Sequence, residues 1–538
     1  MNLLLLNDTY FGSTIEEAGV QVLRVGPGED NDVVVDPDYD DISEAIAKLP
    51  FKPDAILQVD SINRHIFFHG LEKIRAPRAF YAIDAPINEF WQQDFAHFWD
   101  QVWVDQPETV DHWRKQGITW ANWLPLAADR STFFPPNDSE ERDLDVVFVG
   151  TMDYERRPKR SAILHRLRRI ADVTLVDGGG TRSVGSDDVA NYYRRAKIVL
   201  NELLFDGINL RTFEAMACGA VLLTEQGRGE DRLFGDNREL VTFNAQNLET
   251  VVQELLDDPE KMQQVGNSAA EVIRTTHSIQ HRARKVLREL AGLKIRDARD
   301  NDEARARYEW GKWMASWKWE HLREHRHRAA EWLVDRFHLL DPGRQTVFLE
   351  GVGQAEQARD YLKQMLQDGI ASPTLKPALA SLALSIGDDT TAREALELGE
   401  VDRMTLHLAT GERLLSLEQD LTPGFNRMHA PRSAWTAFEH FSVVHSMDET
   451  SKEALEGLDK VLMQHRSPEF MLPLWQRYHS RSPKNEEIER LLVRRAKAGY
   501  FIPSIAKRKP RDTRANVQAM PQATRTRTVH IQRRRAAG

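Results

Sequence analysis

Cysteine is nearly missing from this chain: 538 residues contain one, Cys218. No disulfide can form within it, so a disulfide-stapled secreted scaffold is excluded, and the composition suits a reducing cytoplasm. Long apolar runs are missing too, and none approaches the roughly 18 residues that a membrane-spanning helix needs. The opening Met1-Asn-Leu-Leu-Leu-Leu-Asn-Asp8 looks like the start of a leader. It lacks basic residues, and Asp8 cuts the run short, so it reads as a first β-strand. There is no excess of positive charge: 72 Lys and Arg stand against 82 Asp and Glu, a net charge of -10. A nucleic-acid partner held by bulk electrostatics is therefore not expected. Metal-ligand patterns are lacking as well. His65, His69, His97 and His112 have no ligand spacing, and His277 and His281 share a helical face without a third ligand, so they read as packing or capping residues.

What is present is a soluble composition, 41% hydrophobic and 29% charged, long enough for about three domains. Residues 1–135 alternate short apolar strands (Leu3–Leu6, Val20–Val25, Asp54–Val59, Ala79–Ile83, Gln101–Val104, Trp120–Leu124) with helices at Thr14–Ala18 and Ile42–Leu49. After the loop Phe134-Pro-Pro-Asn-Asp-Ser139 the pattern restarts over residues 142–292. Strands are expected at Asp145–Gly150, Val173–Val176, Ile198–Asn201, Val221–Thr224 and Leu240–Phe243. Helices are expected at Arg160–Ile170, Asp187–Arg195, Leu210–Ala217, Leu248–Asp257 and Pro259–Thr275. Alternation of this kind argues for an α/β fold of two tandem Rossmann-like doubly wound domains, with ligands at the C-terminal strand ends. Residues 303–502 read as helices, either tetratricopeptide-like pairs or simple α-helical packing. Residues 503–538 are basic, poor in large apolar residues and expected to be disordered.

The chemistry concentrates in Asp206-Gly-Ile-Asn-Leu-Arg-Thr-Phe-Glu-Ala-Met-Ala-Cys-Gly219. A loop acid lies eight positions before a helical glutamate, and between them a helix begins. Free N-terminal amides and the helix dipole attract a diphosphate, and carboxylates accept hydrogen bonds from sugar hydroxyls. Each piece has a plainer use. An early acid complements the dipole, an Asp-Gly pair turns the chain, Gly219 caps a helix, and Cys218 is a small buried residue. Their joint occurrence in one run is what argues for a nucleotide-sugar site.

That run closely resembles the donor motif of GT-B glycosyltransferases, nearest the CgeB/YkvP-like "glycosyl transferases group 1" family. Three other stretches agree in order and spacing. Trp123-Leu-Pro-Leu-Ala-Ala-Asp-Arg-Ser-Thr-Phe-Phe-Pro135 resembles the family's interdomain linker. Val147-Phe-Val-Gly150, followed by Arg156 to Arg160, resembles its phosphate-side strand and basic loop. Thr276-His-Ser-Ile-Gln-His-Arg282 resembles the segment before its closing helix. The resemblance covers about residues 1–292 and is thin before 120. It implies that Glu214 holds the ribose hydroxyls, and that Asp206, where the family usually has a glutamate, faces the donor sugar. It also places the amides of Asn209 and Leu210 against the diphosphate, beside Gly207. Gly150, Arg156, Lys159 and Arg160 complete the donor side, and Arg160 best fits the family's Arg-x-x-x-Leu pattern. The outcome it implies is retention without a metal or other cofactor, the nucleotide-diphosphate sugar being a substrate. No Asp-x-Asp stands after a strand where the other major glycosyltransferase fold binds magnesium.

On the acceptor side, Tyr81-Ala-Ile-Asp84-Ala-Pro86 ends a strand, and the family often has Asp-x-Pro there, so Asp84 is the candidate for acceptor contact or proton handling. Asp60 and Asp105 also end strands, and position alone does not separate the three. Trp310, Trp313 and Trp317 recur at helical spacing and mark either a packed face or an interfacial helix. The expected partners are a nucleotide-sugar donor and a glycan, lipid-linked or protein acceptor, with the helical region as a docking surface. The setting is the cytoplasm or the inner face of a membrane. The competing reading is a catalytically inactive sugar-nucleotide-binding, glycan-binding or scaffold protein in surface or coat assembly.

Overall fold

The computed structural model describes residues 1–464, apart from 9, 62–63, 138–140, 153–156, 177–183, 205–206, 235–237, 371 and 418–428, together with Arg490. The expected basic tail, and the motif residues Arg156 and Asp206, lie outside the described residues. The described chain divides into two compact units, residues 1–125 with 282–464, and residues 126–281.

The first unit is built on a parallel sheet of seven strands: β1 (Asn2–Leu6), β2 (Gln21–Gly26), β3 (Val33–Val34), β4 (Ala55–Val59), β5 (Arg78–Ala82), β6 (Gln101–Val104) and β7 (Ala121–Trp123). Their order is β3-β2-β1-β4-β5-β6-β7. A parallel sheet is covered on both faces, so its strands read as unbroken apolar runs. Leu3, Leu4, Leu5 and Leu6 accordingly have no exposed surface. Neighbours align in register, Leu4 beside Leu23 on one side and Ile56 on the other.

The helical stretch packs on this sheet and shares its core. Tyr308, Trp310, Trp313, Leu333 and Phe348 belong to the same buried cluster as Leu4, Phe80, Phe95 and Trp99. Trp310 and Trp313 therefore face a core, as the packed-face reading expects. Helix Asp302–Lys318 crosses helix Ala85–Phe95 at Gly311. A Cβ there would lie 2.7 Å from the Trp91 carbonyl oxygen, so only glycine allows the two backbones to approach so closely. The chain leading into that helix is fixed by charge. Arg299 pairs with the buried Asp100. Arg78 reaches Asp300 at 2.8 Å while stacking 4.0 Å above Phe98. Beyond these, helices Ala355–Gln367, Leu375–Ile386, Asp389–Leu396 and Arg403–Leu417 enclose a smaller core around Leu362, Leu382 and Leu406.

The second unit carries a five-stranded parallel sheet, β8 (Leu144–Val149), β9 (Val173–Val176), β10 (Ala196–Asn201), β11 (Val221–Thr224) and β12 (Val241–Thr242), in the order β12-β11-β10-β8-β9. Two doubly wound α/β sheets with a helical region after them is the architecture expected from the sequence. The helix expected at Pro259–Thr275 ends at Val272 and loosens into a π-turn at Ile273–His277. His277 meets the Leu233 carbonyl at 2.9 Å and His281 meets Ser278 Oγ at 2.7 Å. Both histidines take packing and capping roles.

Candidate functional site

In the second unit the chain runs from β8 outward to β9, then returns to place β10 on the other side of β8. Ligands of open α/β sheets bind at the C-terminal strand ends where the winding reverses. Here those ends are Val149-Gly150 and Asn201-Glu202. Gly150 has φ +155°, and a Cβ on it would lie 3.0 Å from Phe148 Cζ and 3.2 Å from Arg211 Nη2. Backbone and guanidinium meet there because no side chain intervenes.

Asn201 is fully buried and organises this end of the sheet. Its Nδ2 donates to Thr212 Oγ1 at 3.1 Å and Thr224 Oγ1 at 3.2 Å. Its Oδ1 accepts from Asn209 Nδ2 at 2.9 Å and from Arg211 Nη1 at 3.0 Å. Strand β10 thus grips the beginning of helix Leu210–Ala217. Asn209 is the N-cap, and its side chain accepts from the Thr212 amide at 3.3 Å. The amides of Leu210 and Arg211 donate to nothing among the described residues. Two N–H groups at the positive end of a helix are therefore presented beside the strand crossover.

Glu214 lies one turn further along the helix. It is partly exposed, and its carboxylate accepts no hydrogen bond among the described residues. Burial pushes its carboxyl up to about 7, against the opposing pull of Arg211. Such a carboxylate is short of donors, as an acceptor for sugar hydroxyls should be. Arg211 is the residue that sequence reasoning missed. Its Nη2 donates to the Val149 carbonyl at 2.6 Å, and its guanidinium sits 4.8 Å from the Phe148 ring. A cation in the first turn opposes the helix dipole. That local cost is the signal that could have found it.

Lys159 and Arg160 come to the same strand ends from helix Pro158–Leu167. Lys159 donates to the Leu203 carbonyl at 2.7 Å and pairs with Glu225 at 2.9 Å. Arg160 makes two bonds to the buried Glu202, at 3.1 and 2.8 Å, and one to the Thr151 carbonyl at 2.7 Å. Each is held by a carboxylate, so the structure offers ion pairs here rather than bare cations. Arg160 still has donor capacity beyond these three bonds. Gly207 bonds through its amide to the Leu204 carbonyl at 3.1 Å.

A partly exposed arginine outside the motif braces the site from behind. Arg142 donates to the carbonyls of Tyr193, Arg194, Ala196 and Cys218 at 3.2, 2.9, 2.8 and 2.8 Å. It complements the C-termini of helices Ser186–Arg195 and Leu210–Ala217 together. Cys218 is fully buried, and burial pushes its thiol up to about 12, which leaves it inert.

The first unit has its own winding reversal between β1 and β4. Three strand-ending acids separate there by role. Asp60 binds His65 Nδ1 at 2.8 Å and Gln92 Nε2 at 2.7 Å. Asp105 accepts the amides of Asp84 and Ala85 at 2.9 and 3.2 Å, and burial pushes its carboxyl up to about 7, aided by the nearby Asp84 charge. Asp84 itself is partly exposed and left-handed, with φ 51°. Asn7, at the end of β1, is also left-handed with φ 52°. Strained non-glycine backbone persists where the surroundings over-determine it, and such places cluster at functional sites.

Residues 147–288 match a protein family described as glycosyl transferase-like, and the crossover and its helix fall within the matched residues. No match was found among curated proteins. Among solved structures, the chain is similar to a sucrose-phosphate synthase from Thermosynechococcus elongatus, at 12% identity over 54% of this chain and 99% of that one, with a TM-score of 0.39. It is similar to Anabaena HepE, solved with UDP-glucose, at 11% identity over 55% of this chain and 100% of the other, TM-score 0.40. It is also similar to the T4 phage protein BGT, solved with its UDP-glucose substrate, at 14% identity over 55% and 100%, TM-score 0.37.

Proposed function

We propose that this chain is a GT-B-type glycosyltransferase of the CgeB/YkvP-like kind. It moves a hexosyl group from a nucleotide-diphosphate donor to an acceptor hydroxyl on a glycan, lipid-linked sugar or protein, in the cytoplasm. One juxtaposition supports it above all. In a glycosyl transferase-like domain, two unbonded helix amides and an under-bonded glutamate stand at the point where the sheet reverses its winding.

In this reading the diphosphate lies against the amides of Leu210 and Arg211, with Gly150 leaving room for it. Arg211 and Arg160 face the charge that gathers on the leaving group, and loss of one such donor costs about 3 kcal/mol in the barrier. Glu214 takes the ribose hydroxyls, and Asp206 the donor sugar. The acceptor oxygen bonds to the anomeric carbon as the bond from that carbon to the phosphate oxygen breaks. The electron pair leaves with the diphosphate, and the acceptor's proton passes to it on the same face. Configuration is retained, with no side-chain nucleophile and no metal. Asp84 serves the acceptor side.

A thermal-shift screen of UDP, GDP, ADP and dTDP with their common sugars, on wild type and Glu214→Ala, tests this. A ligand at about 100 times its dissociation constant stabilises the fold by about 2.7 kcal/mol. A shift with one nucleotide series, lost in the variant, supports the reading. A folded protein that responds to no donor refutes it.

A further inference from the structure

Helix Asp302–Lys318 ends beside the C-terminal strand ends of the first sheet, and its last residues are unlike the rest of it. Trp313 and its neighbours are buried, whereas Lys318 and Trp319 are partly exposed. Trp319 lies 4.1 Å from His65, the histidine that Asp60 holds at the end of β4. It stacks near Phe90 at 6.2 Å, on the helix that Asp84 opens. Its indole N–H makes no hydrogen bond among the described residues.

The Lys318 ammonium stands over two rings, 4.6 Å from Trp319 and 5.4 Å from Phe90. It makes no hydrogen bond or ion pair among the described residues. Burial draws its pKa down to about 8, with Asp84 pulling the other way. An ammonium taken partly out of water without an acceptor is costly, and an anion would relieve that cost. An aromatic ring that is half-exposed beside it offers an apolar face and an N–H, which suits a sugar ring.

We infer that Lys318 and Trp319, together with Asp84, form a subsite for a sugar bearing a carboxylate or phosphate. This rests on the glycosyltransferase reading and names its acceptor as an anionic saccharide. The helical region then contributes directly to acceptor choice. The anionic group pairs with Lys318, the sugar ring lies on Trp319, and Asp84 accepts from a hydroxyl.

The test is an NMR titration of the full chain with methyl β-glucuronide and the uncharged methyl β-glucoside. Inorganic phosphate serves as an ion control, and the donor screen is run on the same samples. The charged sugar should bind at least tenfold more tightly than the neutral one. Lys318→Met should abolish that preference while melting as wild type does, Lys318→Arg should keep it, and Trp319→Leu should weaken both sugars. Equal binding of the two sugars by wild type overturns the inference, as does a preference that survives Lys318→Met. Phosphate binding as tight as the glucuronide overturns it too, by reducing the site to an ion contact. Donor binding without a charged-sugar preference sinks this subsite alone. A charged-sugar preference in a chain that binds no nucleotide upholds the subsite and sinks the transferase.

Discussion

Donor affinity should depend on pH through Glu214. Its carboxyl is pushed up to about 7 because burial outweighs the attraction of Arg211. Only the ionised carboxylate can accept from both ribose hydroxyls, so binding favours the deprotonated form. Affinity is then greatest above pH 7 and is lost as pH falls through it. With a midpoint near 7 the ionised fraction drops from about nine-tenths at pH 8 to about one-tenth at pH 6, a tenfold loss of affinity or about 1.4 kcal/mol. The neighbouring Tyr193 and Cys218 have their pKa values raised by burial and stay neutral over this range, so they add no slope. The assay is calorimetry with an intact nucleotide-sugar. A free nucleoside diphosphate carries a terminal phosphate that titrates near pH 6 and would blur the result. Glu214→Gln keeps the shape and removes the charge. Hydrogen bonds to a charged group are worth about 1.5–3 kcal/mol, so affinity at pH 8 should fall by about 10- to 150-fold and the pH dependence should flatten. Equal wild-type affinity at pH 6 and pH 8, or an unchanged slope in Glu214→Gln, would refute the assignment.

Arg142→Met removes the guanidinium from four carbonyls and should destabilise the second unit by about 3 kcal/mol in urea unfolding, while the folded fraction binds donor normally. A stability change under about 1 kcal/mol would show that water replaces the guanidinium freely. Asp84→Gly should melt at or above the wild-type temperature because it relieves a left-handed backbone, whereas Asp84→Val should cost about 1–2 kcal/mol. Both should lose transfer to acceptor, and a glycine variant less stable than wild type would make the carboxylate structural instead.

The strands were legible because parallel sheets demand continuous apolar runs, and Leu3–Leu6 and Val221–Thr224 supply them. Helix Ala85–Phe95 was not, because its buried face carries Asn88, Glu89, Gln92 and Asp94. Partners distant in sequence bind three of them. Gln92 bonds Asp60, Glu89 accepts from Trp113 at 2.8 Å, and Asp94 pairs with Arg344 at 2.7 Å. An apolar-period search reads such a helix as surface. Strand β3, Val33–Val34, is too short to show any period. Around the site, helix Leu210–Ala217 was readable from one contiguous run. Arg142 was not, since the carbonyls it gathers belong to residues 193–218. The tryptophan spacing allowed a packed face or an interfacial helix and could not say that the partner would be the first sheet's own core.

That shared core has a consequence for how the protein is made. Strands β1 to β7 emerge from the ribosome well before the helices that complete their core, which reach to Phe348. At elongation rates of about 5–20 residues per second, the wait from residue 125 is roughly ten to forty-five seconds. Meanwhile Phe95, Phe98 and Trp99 lack the helix that covers them, a surface of the kind chaperones hold. The second unit's sheet, β8 to β12, is complete by Thr242 and is to hand during that interval. It is equipped to fold first, in the middle of the nascent chain, while the amino-terminal sheet waits for its own roof.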